Sequence, residues 1–181
     1  MGKVSPSAQP ARPDLAGIFD EQFGYVWSTL RRLGVREADI EDLSHEVFLR
    51  VHARLADYDP ARPIRPWLFG FAYRLASDYR RLARHRMELN GVHVEAEDPA
   101  QPVDERMAVA ERRKLVRSAL DAMDLERRAM LVLHYVDGVP VGEIAEALAI
   151  PLNTAYSRLR LAREELAAAV ETIAAREVHR A

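Results

Sequence analysis

The chain has 181 residues, 49% of them hydrophobic and 30% charged, and its formal net charge is −2. It holds no cysteine, which excludes disulfides, cysteine-ligated zinc and thiol catalysis. No run approaches the ~18 consecutive apolar residues of a spanning helix, and a near-neutral total means that any nucleic-acid contact has to come from segregated basic faces.

Residues 1–13 are rich in Pro, Ala and Ser and lack an apolar h-region, so they read as a disordered lead rather than a targeting signal. From Asp14, the residues Leu15, Ile18, Phe19, Phe23, Val26, Trp27, Leu30 and Leu33 recur at three- and four-residue steps, predicting an amphipathic helix that stops at Gly34. A second helix is expected over Glu37–Ala56, with Ile40, Leu43, Val47, Val51 and Leu55 as its core stripe. Glu41, Asp42, His45 and Glu46 fall mainly off that stripe. An acidic first turn also suits the positive end of a helix dipole. The i, i+3, i+4 spacing of Asp42, His45 and Glu46 leaves a metal-dependent enzyme as an alternative, but no HExxH or phosphate-loop motif accompanies it.

Three prolines in the run Tyr58-Asp59-Pro60-Ala61-Arg62-Pro63-Ile64-Arg65-Pro66 predict a stiff loop rather than a helix. Trp67 is expected to open a third helix with Leu68, Phe71, Ala72, Leu75, Ala76 and Tyr79 on its buried side. Arg74, Arg80, Arg81, Arg84 and Arg86 crowd the later half of this helix. Arginines beside aromatics suit single-stranded bases and phosphates, although basic residues near a helix C-terminus are favourable in any case. From Met87 the character inverts. Glu88, Glu95, Glu97, Asp98, Asp104 and Glu105 are acidic, and Pro99 and Pro102 break any helix. The segment 87–108 is therefore expected to be an acidic flexible linker between two helical domains, 14–86 and 109–175.

In the second domain, Val109, Leu115, Val116, Ala119 and Leu120 suggest one helix. Leu125, Ala129, Val132, Leu133 and Val136 suggest another, ended by Asp137-Gly138. Then Pro140–Pro151 reads as a short helix and a tight turn in which Ala149 or Ile150 has to take an unusual backbone angle. The segment from Leu152 reads as a longer helix. On a wheel of about 100° per residue, Leu152, Ala155, Leu159, Ala162 and Leu166 share one face of it. Asn153, Ser157 and Arg160 point the other way, with Arg158 and Arg163 on the flanks. That is a helix-turn-helix layout, whose second helix enters the DNA major groove. The expected fold class is all-α, two small helical domains with a helix-turn-helix at the end of the second.

Three stretches in this order resemble the bacterial RNA polymerase sigma factors of the extracytoplasmic-function type. Asp42-Leu43-Ser44-His45-Glu46-Val47-Phe48 resembles the family's Asp-Leu-x-Gln-Glu-x-Phe helix. Trp67-Leu68-Phe69-Gly70-Phe71-Ala72 is similar to its Trp-Leu-x-x-Ile-Ala opening. Asp137-Gly138, Glu143-Ile144-Ala145 and Thr154-Ala155-Tyr156-Ser157-Arg158-Leu159 resemble its closing helix-turn-helix. The resemblance implies a promoter-recognition subunit, not an enzyme by itself, working in the cytoplasm without a cofactor or metal. Asp42, His45, Glu46 and Phe48 would dock on the clamp coiled coil of the largest polymerase subunit, and the second domain would meet the flap. Trp67, Arg74, Arg80, Arg81 and Arg84 would serve the −10 element, and Asn153, Tyr156, Ser157, Arg158 and Arg160 the −35 element. An anti-sigma protein is an implied partner. Three departures from the family pattern bear on specificity: His45 where glutamine is usual, Arg74 where asparagine is frequent, and Leu161 where arginine is frequent. An autonomous helix-turn-helix regulator is the alternative, but it needs a dimer to read two half-sites, and no heptad seam is evident.

Overall fold

The computed structural model describes residues 14–90 and 105–178. The expected lead and the 91–104 part of the acidic linker lie outside them. The described residues form seven α-helices and no strand: α1 Leu15–Arg32, α2 Glu37–Ala53, α3 Ile64–Asn90, α4 Glu105–Ala122, α5 Leu125–Leu131, α6 Val141–Ala147 and α7 Leu152–Val178. None of the helices is long and apolar enough to cross a membrane.

Local chemistry sets most of the helix ends. Asp14 caps α1, its carboxylate accepting from the Ala16 amide at 3.4 Å. The far end closes on Gly34, whose φ of +89° lets its own amide bond the Arg31 carbonyl while the Val35 amide reaches back to Leu30. This is a Schellman closure, which needs a left-handed residue at that position. The turn after α6 has the same pattern, Ala149 to Glu146 and Ile150 to Ala145. There the left-handed position is an alanine, with φ of +54°, at a cost of roughly 1–2 kcal/mol relative to a relaxed backbone.

Four details differ from the sequence expectation. The second helix ends at Ala53, and a 3-10 turn, Leu55–Asp57, follows it. Helix α3 starts at Ile64, so Pro66 sits in its first turn, where the missing N–H is one of the four that have no helical partner anyway. Pro140 is the cap of α6 rather than its first residue. The segment after α5 winds as a π-turn, Val132–Val136, which rotates Tyr135 and Val136 outward to 57% and 54% exposure. In addition α3 and α4 extend into the expected linker, to Asn90 and from Glu105.

α1, α2 and α3 pack on one another, and α4, α5 and α6 each pack on α7. Val26, Leu30, Ile40, Val47, Val51, Leu68 and Phe69 fill the first bundle, and Met130, Leu133, Ile144, Ala155 and Ala162 the second. Fully burying each large aliphatic side chain contributes about 1.5–3 kcal/mol. The two bundles also meet, through α3 and α6, and their apolar residues form one continuous cluster.

Candidate functional site

Three surfaces gather the residues singled out from the sequence. The first is the outer face of α2. Asp42 and His45 are exposed there, and Glu46 is half-exposed and bonded to Arg50 at 2.9 Å. The His45 ring lies over Phe23 and Phe19, 5.6 and 6.0 Å between centroids. Its Nδ1 is 2.9 Å from the Glu41 carbonyl. A carbonyl only accepts, so Nδ1 carries the proton and Nε2 is left facing outward. Phe48 is buried at 4% exposure, edge-on to Phe19 at 4.8 Å. It therefore shapes the face from beneath and does not present itself. Leu49, one residue on, is 65% exposed. Sequence reasoning missed it, although it is the one leucine of α2 outside the core stripe. Among the described residues no group of His, Asp and Glu is gathered that could hold a metal ion.

The second surface lies between α2, the Pro-rich loop and the first half of α3. Trp67, partly exposed, packs edge-on to Phe71 at 5.0 Å and against Tyr58 at 4.9 Å. The Tyr58 hydroxyl donates to the Arg62 carbonyl at 2.7 Å, which holds the loop against the tryptophan. Beside this platform Arg50, Ala53, Arg54, Phe71 and Arg74 line a cleft of about 280 Å³. The Arg74 guanidinium sits 5.7 Å from the Phe71 ring centroid. Three guanidinium groups and an aromatic wall suit a planar group carrying phosphate. The cleft is small beside the roughly 300–1,000 Å³ of drug-sized sites. Arg50 and Arg54 were not singled out from the sequence, because they belong to the preceding helix and its end. Arg81 is exposed and pairs with Asp78 at 3.4 Å. Arg80 lies elsewhere, half-buried, with Nη2 3.4 Å from the Met123 carbonyl of the second bundle. The side chain of Arg84 lies outside the described residues.

The third surface is the solvent side of α7. Asn153, Tyr156, Ser157 and Arg160 are exposed together, while Ala155, Leu159 and Ala162 are buried against α5 and α6. Leu152, expected on the buried face, is 48% exposed at the first helical position, since the turn holds it clear of α6. Arg160 pairs along its own helix, with Glu164 at 2.7 Å. Arg158 points sideways and bonds Glu126 of α5 at 2.8 Å. Leu161 is at the exposed margin of the face.

These surfaces fall in regions with known counterparts. The family models described as Sigma-70 region 2 and Sigma-70, region 4 match residues 19–86 and 113–166. The ECF RNA polymerase sigma factor SigL of Mycobacterium tuberculosis is 32% identical over 164 residues, covering 90% of this chain and 92% of the relative. The chain belongs to the ECF sigma factors. The RNA polymerase sigma factor CnrH of Cupriavidus metallidurans is 29% identical, over 78% of each chain. The fold agrees with the structure of CnrH in complex with the cytosolic domain of CnrY, at a TM-score of 0.61 and 24% identity over 87% of this chain and 88% of that one. It also agrees with the co-crystal structure of the sigma factor RpoE with the anti-sigma factor NepR from Bartonella quintana, at a TM-score of 0.68 and 19% identity over 87% and 97%. A sigma factor of this group directs RNA polymerase to promoters, and this chain does so with two helical regions, α1–α3 and α4–α7.

Proposed function

We propose that this sigma factor docks on core polymerase through the outer face of α2, holds the −10 element at the Trp67 platform and its basic cleft, and reads the −35 element with α7. The observation that carries this reading is the exposure of Asn153, Tyr156, Ser157 and Arg160 as one face, each of them free of the apolar packing that buries the opposite side of α7. Arg160 is the residue of that face with the reach and fork geometry to grip a guanine edge. Converting Arg160 to alanine is expected to weaken −35 binding by about 1–3 kcal/mol and to relax sequence preference at one position. A band-shift with holoenzyme on promoter variants reads this, and unchanged affinity overturns the assignment.

At the −10 element, unstacking a base costs a few kcal/mol, offset by stacking and pocket contacts. Tyr58, Trp67 and Phe71 supply the aromatic surface. Arg50, Arg54 and Arg74 supply charge for the adjoining phosphate. Arg74 in place of the family's frequent asparagine gives this cleft its third guanidinium.

On the docking face, Leu49 is an exposed apolar side chain about one turn beyond His45 and Glu46 and on the same side of α2 as Asp42, an apolar contact beside polar ones as protein interfaces have. Leu49→Asp is expected to lower affinity for core polymerase about tenfold or more with the helical circular-dichroism signal unchanged. Fluorescence anisotropy of labelled chain against core polymerase measures it, and a change under twofold removes Leu49 from the interface. An anti-sigma protein is the proposed negative partner, in line with the co-crystal of RpoE with the anti-sigma factor NepR. The proposed site of action is the cytoplasm, beside the polymerase. Run-off transcription with core polymerase on genomic DNA tests the whole reading and returns the promoter sequence.

A further inference from the structure

The edge of α7 that faces α5 is tied down by polar contacts. Arg158 bonds Glu126 at 2.8 Å, and Glu165 accepts from Arg127 at 2.6 Å and from the Asp124 amide at 3.4 Å. These charges turn toward α5 and away from the open face of α7. Between them and that face stands Leu161. Its neighbours Leu159 and Ala162 are buried, at 8% and 0% exposure, while Leu161 keeps 36%. It lies one turn beyond Ser157 and, at about 100° per residue, only ~40° from it around the helix.

The centre of the open face carries little net charge, because Arg160 is bonded to Glu164 on the same face at 2.7 Å. Asn153 and Ser157 are neutral and both donate and accept, so they suit more than one base edge. Tyr156 is exposed on the far flank, with Arg163 two turns past it, and its hydroxyl can bond a phosphate. Leu161 has no polar atom. In a major groove such a side chain has one distinctive apolar partner, the 5-methyl group of thymine, which stands out from the base edge toward a bound helix. A single exposed leucine is ordinary on a protein surface. This one is set apart by its place, directly after Arg160 and beside Ser157 on the face that would lie in the groove.

We propose that Leu161 is a specificity-determining residue, which packs on the 5-methyl group of a thymine in the −35 element at the base pair beside the one gripped by Arg160. This deepens the reading of α7 given above and rests on it. The contact is uncharged, so it adds preference for one base without adding salt dependence. Cytosine methylated at carbon 5 carries its methyl at the same place in the groove. A cytosine at this position is therefore read poorly when unmodified and better when methylated.

Holoenzyme made from the full chain and core polymerase tests this on the promoter that run-off transcription returns, with each −35 thymine of either strand replaced in turn by deoxyuridine. That change removes the methyl and keeps every hydrogen-bonding group of the base pair. At one position it is expected to weaken binding about 3- to 5-fold in a band-shift, the size of one buried methyl group. Leu161→Ala should bind the thymine and deoxyuridine duplexes equally, and Leu161→Met should keep most of the difference. At the same position 5-methylcytosine should bind about 3- to 5-fold tighter than cytosine, and only with an apolar residue 161. Each variant is read as a ratio between two duplexes, so a loss of folded chain cancels. If no deoxyuridine matters, or if the sensitivity survives in Leu161→Ala, the methyl contact is overturned, while the reading of α7 still stands or falls on Arg160→Ala. If the whole −35 element can be scrambled without loss of affinity, the reading of α7 falls and this inference with it.

Discussion

Arg128→Ala is expected to be the most destabilising single substitution in the second half of the chain. The guanidinium serves two helix ends at once. Nε donates to the Arg32 carbonyl at the end of α1, and Nη1 to the Leu120 carbonyl in the last turn of α4 at 3.0 Å and to Asp121 at 2.6 Å. Carbonyls at helix ends carry the negative end of the dipole and have lone pairs to spare, so a cation between them suits both, although the Leu120 carbonyl also accepts from the Met123 amide at 3.2 Å. Burial pushes the proton affinity of the guanidinium down, while Asp121 pulls it back. Truncation removes the charged donor, leaves the Arg32 carbonyl and Asp121 without it and opens a void, together about 3 kcal/mol. At roughly 2–4 °C per kcal/mol for a chain of this size, the melting temperature should fall by about 6–12 °C. Scanning calorimetry reads it. Arg128→Lys should recover less than half, since one ammonium cannot reproduce the fork. A shift below about 2 °C would show that the carbonyls are readily hydrated instead.

The second large effect is expected at Trp67. Its ring bridges Tyr58 of the loop and Phe71 of the helix, and its remaining face is open. If that face takes an extruded base, Trp67→Ala removes about 1–3 kcal/mol of stacking. Open-complex formation should then fall about 10- to 100-fold, with closed-complex affinity within about twofold. Permanganate reactivity of the −10 thymines, set beside band-shifts at a temperature that blocks melting, separates the two stages. Trp67→Phe should restore most of the loss. Equal losses at both stages would make the tryptophan a scaffold residue.

Much of this architecture was legible in the sequence because helices are written in short-range terms. The three- and four-residue recurrence from Leu15 to Leu33, the Gly34 stop and an unusual backbone angle at Ala149 or Ile150 all concern neighbours along the chain, and they reappear in the structure, the last of them at Ala149. The exposed face of α7 follows from the same periodicity. Reading failed where a residue's environment is set from far away. Arg127 and Arg128 are adjacent and identical, yet Arg127 reaches Glu165 on the surface at 2.6 Å while Arg128 is buried. The carbonyl that decides Arg128's fate lies 96 residues earlier. Arg80 looks like one more arginine of a basic helix end until its Met123 partner, 43 residues on, is seen. Phe48, expected on the docking face, is buried, and Leu49, for which no role was expected, is presented instead, for a milder reason. Periodicity predicts a stripe, and only the position of α1 shows which edge of that stripe Phe19 and Phe23 cover.

By itself, then, the sequence determined an all-α chain of two helical regions, the order of its motifs, and the exposed face of α7, because each depends on spacing within a turn or two of helix. Only the tertiary structure decided which arginines line the cleft beside Trp67, that Leu49 rather than Phe48 is presented on α2, and that the two bundles meet through Gly70 against α6 and through Arg128 and Asp137 against the α1 residues Arg32 and Tyr25. Those outcomes depend on which distant surface fills the space beside a residue, and no local pattern carries that information.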